Sequence, residues 1–160
     1  MPSDPKRELL RHTLATLAYR SGKAVRGAPA EFAGYRAAES TRTPAQILAH
    51  VGDLLDWALS VANGKETWHN SAPLDWDREV RRFFTALAAL DAYLASDALL
   101  KETVERLFQG PIADALTHVG QIAMLRRMSG AAIRGENYHR AEIIVGCVGP
   151  GQAAPSREFD

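Results

Sequence analysis

The sequence contains very little cysteine, which limits the chemistry open to it. Among its 160 residues there is one cysteine, Cys147. A single thiol cannot form an internal disulfide or a cysteine-based zinc site, and such a composition is typical of a reducing compartment. We interpret Cys147 as a small packed residue rather than a reactive thiol.

The sequence also lacks an excess of charge of either sign and lacks long apolar runs. Lys plus Arg and Asp plus Glu both number 19, so the formal net charge is zero. Without a dense basic run, we expect no nucleic-acid partner. No stretch approaches the roughly 18 continuous apolar residues of a membrane span, and the first residues lack the apolar core of a signal peptide. We therefore expect a cytoplasmic protein with no membrane partner.

What the sequence does contain is a series of segments with apolar residues at helical spacing, which predicts an all-α fold with little or no sheet. Hydrophobic residues make up 46% of the chain, enough for one globular domain, which we place at residues 1–148 with a C-terminal tail at 149–160. We expect the end of this tail to be partly disordered or to pack on a partner chain. The predicted helices start at Pro5 (capped by Ser3 or Asp4), at Pro44 (capped by Thr43), after Asp75, near Asp97 (a short helix ending near Phe108), and at Pro111, with a kink or interruption at Gly110 and Pro111.

The last long helix carries the residues with the clearest chemistry. Asp114 and His118 stand four residues apart in an otherwise apolar segment that ends at Gly130. Residues at this spacing have Cβ atoms about 5–6 Å apart on one helix face. A carboxylate and an imidazole so placed are able to bind one metal ion at about 2.0–2.2 Å each.

A third ligand is expected from the second helix. His50 lies on its apolar face, well inside its start at Pro44. We therefore predict a His/Asp/His metal site formed by His50, Asp114 and His118. The alternative is a buried, hydrogen-bonded trio without a metal, which avoids the cost of burying unpaired polar groups only if every member has a partner.

Several other segments and polar residues have two possible roles. The loop at residues 65–77, with its two tryptophans, either covers a pocket or seals the end of the core, and we favour the second reading. Arg126 and Arg127 are interpreted as solvated charges near a helix C-terminus, with an anion-binding role as the alternative. His12 is expected to be solvated. Glu136 and His139 are expected to lie outside the pocket, and an approach to it from the segment after the last long helix is the alternative.

The chain has one histidine in the second helix, and it has an HxxxHxGQ-like pattern in the last long helix, formed by Asp114, His118, Gly120 and Gln121. In these two respects it resembles the DinB/YfiT superfamily. The resemblance extends from the first helix to the end of the fourth long one. It implies an up-down-down-up four-helix bundle, commonly dimeric, with a three-histidine site for zinc or nickel. This chain departs from the pattern at Asp114, where the family usually has histidine; two histidines and one carboxylate bind zinc and also suit ferrous iron or manganese.

The resemblance further implies a metal-dependent hydrolase, or a transferase that uses a low-molecular-weight thiol, acting on a small-molecule substrate. Gln121, one turn after His118, is then expected to hydrogen-bond a water or to orient a ligand. The alternative is a non-catalytic metal-binding or small-molecule-binding bundle with a role in stress response. A homodimer is the expected assembly.

Overall fold

The computed structural model describes residues 4–160, and within them the chain is mostly helical. This confirms the predicted all-α class. The only sheet in that range has two short antiparallel strands, with Gly135 opposite Phe159. No helix in the described range is both long enough and apolar enough to cross a membrane. The elements are α1 (Pro5–Val25), α2 (Pro44–Ala62), α3 (Trp76–Ala95), α4 (Val104–Leu107), α5 (Ala113–Met128), β1 (Gly135–Glu136) and β2 (Glu158–Phe159).

The helix starts follow from local capping chemistry. At α1, the Asp4 side chain accepts a hydrogen bond from the Lys6 backbone N–H; the other candidate cap, Ser3, lies outside the described residues. At α2, the predicted capping box is present, because Thr43 and Gln46 each bond the other's backbone N–H. Asp75 precedes α3 as predicted, although its side chain makes no capping hydrogen bond.

The prediction of a helix from Asp97 was wrong. Residues 96–103 form bends and irregular structure, and α4 begins only at Val104, where the Thr103 side chain accepts from the Arg106 backbone N–H. The segment from Phe108 to Ile112 then continues as a π-helical turn containing Pro111 and leads directly into α5. The wider turn replaces the expected interruption, since proline cannot donate the hydrogen bond that a regular helix needs at that position.

The four long helices share one apolar core. Helix α2 packs on α3 and α5, and α1 packs on the same two helices. The connection between α1 and α2 contributes Phe32, which is fully buried against Trp76 at the start of α3. The contact between α2 and α5 brings His50 to His118.

The C-terminal tail folds back on its own chain. Strand β2 pairs with β1, and this places Glu136 against α1. There the buried Glu136 carboxylate accepts hydrogen bonds from Tyr19 Oη at 2.6 Å and Lys23 Nζ at 3.0 Å. These contacts tie residues 135–159 to the helices.

Candidate metal site

Two of the three predicted ligands lie in the first turns of α5. Asp114 is the second residue after the π-helical turn, and His118 lies one helical turn later. The π-turn shifts the rotation of the helix just before the site, and such turns are frequent at functional sites. His118 Nε2 lies 3.5 Å from Asp114 Oδ1.

The third ligand comes from α2, as predicted. His50 Nε2 lies 3.8 Å from Asp114 Oδ2, and the imidazoles of His50 and His118 meet edge to face with their centroids 4.8 Å apart. One donor atom from each of the three residues lies within 4.8 Å of the other two. The structure thus brings together side chains that are 64 residues apart along the chain.

These separations suit a shared ion better than direct hydrogen bonds. Both His–Asp distances exceed the usual N–H···O range of about 2.7–3.2 Å. Ligands about 2.1 Å from a tetrahedral ion lie roughly 3.4 Å from one another. Small side-chain movements bring the three donors to that geometry, and nitrogen and carboxylate donors are the types that zinc and related ions prefer.

Two features of the imidazoles favour metal binding. Gln121 Oε1 lies 2.7 Å from His118 Nδ1, and because an amide oxygen accepts, Nδ1 is the donor in this contact and Nε2 is available to the ion. Burial, with smaller contributions from His118 and Arg42, lowers the pKa of His50. A neutral imidazole is the form that binds a metal.

The site opens on two sides. His50 borders a small polar cavity of about 210 Å³, which Asp53 and Ser71 also line. His118 and Gln121 border a larger groove of about 840 Å³, whose other walls are mostly apolar. Arg42 lines both, so the cluster lies between the two spaces with accessible solvent on each side.

The loop between α2 and α3 forms one wall of the site. The Trp68 indole contacts the His50 ring edge to face, with the centroids 5.7 Å apart. Asp53 holds the loop in place, because its buried carboxylate accepts from the Ser71 backbone N–H at 2.8 Å and from Ser71 Oγ at 2.7 Å. Trp76 packs in the core on Phe32. Of the two tryptophans, Trp76 therefore seals the core, as favoured from the sequence, whereas Trp68 lies beside the candidate site.

Several other candidates lie elsewhere. Arg126 was predicted to be solvated, and this was wrong: it is 5% exposed and donates to the carbonyls of Ala24, Arg26 and Ala131. Its neighbour Arg127 is exposed, and so is His12. Glu136 faces α1 and His139 lies in an exposed turn, and neither belongs to the cluster.

Sequence reasoning missed Arg42 and Asp53. Arg42 directly precedes the cap of α2, in a segment without periodicity, so nothing in the sequence related it to a site on α5. Asp53 offered a signal, because it is an acid three residues after His50 on a largely apolar helix. A buried acid at such a position needs a partner, which here is Ser71.

No protein-family model matches the chain, and neither the curated proteins nor the solved structures contain a significant match.

Proposed function

We propose that the chain is a metal-binding protein of the DinB/YfiT type, in which His50, Asp114 and His118 hold one divalent ion. The observation that carries this proposal is the mutual approach of the three donor groups to within 4.8 Å at the contact of α2 with α5. Zinc and nickel suit this donor set best, and iron or manganese are the alternatives. The up-down-down-up bundle is part of the proposal, supported by the packing of α1 and α2 each on α3 and α5.

Three protein ligands are the number found in catalytic sites rather than in closed structural ones. A bound ion would supply Lewis-acid chemistry that lowers the pKa of a water or a thiol in its open coordination position. The protein's own groups prepare that position. Gln121 orients the ring of His118, and Trp68 packs edge to face against the ring of His50.

The activity we propose is metal-dependent hydrolysis, or transfer using a low-molecular-weight thiol, on a small-molecule substrate in the cytoplasm. The two cavities beside the imidazoles support a small-molecule ligand. Gln121 acts here as a positioning residue, because its amide oxygen faces His118.

One observation favours the alternative, a non-catalytic metal- or small-molecule-binding bundle. A general base must lie within hydrogen-bond reach of the reacting group. Among the residues that line the cavity beside His50, Asp53 is the only carboxylate, and Ser71 and Arg82 already engage it. A hydrolase would therefore depend on metal-activated water rather than on a separate base.

The metal site is tested by elemental analysis of untagged protein, with melts in the presence and absence of chelator. We expect one equivalent of a divalent metal in the wild type and a lower melting temperature with chelator. Asp114→Ala should lose the metal, whereas Asp114→His should retain it because histidine offers a ligand from the same helical position. A wild type that contains no metal, and whose melting temperature is the same with and without chelator, would overturn the proposal.

The activity is tested separately with two reporter reactions on zinc-loaded protein. One is hydrolysis of 4-nitrophenyl acetate to nitrophenolate and acetate. The other is displacement of chloride from 1-chloro-2,4-dinitrobenzene by a low-molecular-weight thiol. Turnover that disappears in Asp114→Ala supports an enzyme. Stoichiometric metal without turnover in either assay supports the non-catalytic alternative.

We also propose a twofold homodimer, as the resemblance implies. The exposed residues Leu9 on α1 and Phe108, just after α4, with 68% and 45% of their surface accessible, are compatible with an interface. Sedimentation should show twice the chain mass of 17.5 kDa at micromolar concentration. A 17.5 kDa species at all such concentrations would refute the dimer.

A further inference from the structure

The groove beside His118 combines apolar and polar lining residues. Its apolar side chains include Ile47, Met124, Leu125 and Met128. Its polar lining includes His118 of the proposed metal site. The volume of about 840 Å³ lies within the range of small-molecule sites, about 300–1,000 Å³.

The groove is lined by one positive charge that has no partner in the part of the chain that the structure describes. Arg42 lies at the boundary between the groove and the small cavity beside His50. Within residues 4–160, no hydrogen bond or ion pair engages its guanidinium, and no carboxylate lines the groove. Six other arginines donate side-chain hydrogen bonds, and Arg106 forms an ion pair with Glu102; the six are Arg7, Arg11, Arg36, Arg82, Arg126 and Arg134.

Gly120 is a second, independent feature of this groove. It lies inside α5, where glycine destabilises a helix by roughly 0.5–1 kcal/mol relative to alanine. Packing does not require it, because a Cβ built there would have no neighbouring atom within 4 Å. Its φ is not positive, so backbone conformation does not require it either. The space above Gly120 belongs to the groove, and the missing side chain keeps the groove open next to His118.

We propose that Arg42 and the groove form a binding site for a small amphipathic carboxylate. Its carboxylate pairs with Arg42 at the end next to His118, and its hydrocarbon body lies on Met124, Leu125 and Met128. This proposal deepens the proposed function, on which it rests for the role of the ligand as substrate. Charge complementarity selects an anion, because no carboxylate among the described residues lines the groove and a guanidinium binds a carboxylate through paired hydrogen bonds. The apolar walls require a hydrocarbon portion and exclude a purely polar anion.

The site is tested by calorimetric titration with three probes: octanoate, its uncharged isostere octanamide, and acetate. Each is measured on chelator-stripped protein and on zinc-loaded protein. The comparison distinguishes a carboxylate that binds Arg42 from one that binds a metal ion. For stripped wild type, we expect octanoate to bind at least tenfold more tightly than octanamide, the size of effect expected for a hydrogen bond to a charged group. Acetate should bind weakest.

Variants then assign the binding to this groove. Arg42→Gln should weaken octanoate about tenfold and leave octanamide unchanged, whereas Arg42→Lys should recover part of the loss. Gly120→Leu should weaken both eight-carbon probes, while its thermal stability equals or exceeds that of the wild type because leucine is the better helix former. Arg127→Gln, which removes a nearby exposed charge on α5, is the matched control and should change nothing.

The inference and the proposed function fail in different ways. The carboxylate site is overturned, whatever the metal content, if octanoate does not bind or if its affinity is the same in Arg42→Gln, Gly120→Leu and the wild type. A change in sedimentation rather than in probe binding on Gly120→Leu assigns the groove to a second copy of the chain and likewise overturns it. Absence of metal with intact Arg42-dependent binding overturns the metal site alone.

Discussion

Gln121 Oε1 lies 2.7 Å from Nδ1 of His118, one turn further along the same helix. The contact makes Nδ1 the protonated nitrogen and directs Nε2 toward His50 and Asp114. Residues that orient a ligating histidine in this way typically contribute about 10- to 100-fold to metal affinity. Gln121 is therefore expected to tune the site without touching the ion.

The prediction from this contact concerns metal affinity. Gln121→Met keeps the length of the side chain but removes the acceptor, and it should weaken zinc binding about 10- to 100-fold in a chelator competition assay. Gln121→Glu retains an acceptor with the same reach and should bind zinc at least as tightly as the wild type. Equal zinc affinity in Gln121→Met and the wild type would show that the contact has no role in metal binding.

Metal binding should be visible in tryptophan fluorescence. The Trp68 indole lies 5.7 Å from the His50 ring, measured between centroids, so a paramagnetic ion such as Ni²⁺ at the site should quench it. Nickel titration should lower the emission of the wild type and have much less effect on Trp68→Phe. Trp76→Phe, which removes the indole in the core contact with Phe32, should retain the quenching. Equal quenching in both variants would place the ion elsewhere.

Arg126 should be important for stability rather than for function. Its guanidinium bonds carbonyls at the end of α1 and in the segment after α5, and its replacement leaves those acceptors unpaired. Arg126→Met should lower the free energy of unfolding by about 2–4 kcal/mol. The adjacent exposed Arg127 provides the control, since Arg127→Met should change stability by less than about 0.5 kcal/mol in the same urea titration. Similar effects for the two variants would contradict the buried role of Arg126.

The attachment of the tail to α1 should weaken in acid. Burial alone raises the pKa of Glu136, but hydrogen bonds from Tyr19 and Lys23 outweigh it, and the net effect is a lowered pKa. Because the folded pKa lies below the unfolded one, this carboxylate stabilises the fold above its unfolded pKa, and the contribution is lost as the pH falls through the folded pKa.

Glu136→Gln should therefore cost about 1–3 kcal/mol of unfolding free energy near neutral pH, and the difference from the wild type should shrink at acidic pH. The neighbouring Glu142, outside this network, supplies a comparison: Glu142→Gln should show no such pH-dependent difference. A constant gap between Glu136→Gln and the wild type from neutral to acidic pH would exclude this carboxylate as the titrating group.

Much of the helical structure follows from local sequence. Thr43, Pro44 and Gln46 fix the start of α2 because the capping box needs only neighbouring residues. The pairing of Asp114 with His118 is likewise local, since helical geometry alone places both on one face. The helix expected from Asp97 shows the limit of local patterns. Apolar spacing over a short segment does not outweigh the cap at Thr103, and α4 therefore starts later than predicted.

The tertiary structure decided everything that depends on the rotation and contact of one helix against another. Whether His50 meets Asp114 is set by the packing of α2 on α5, and no local rule fixes that rotation. The burial of Arg126 needed the end of α1, which lies 100 residues earlier in the chain. Arg42 acquired its place beside the groove in the same way, because an irregular segment takes its position from the helices on which it packs.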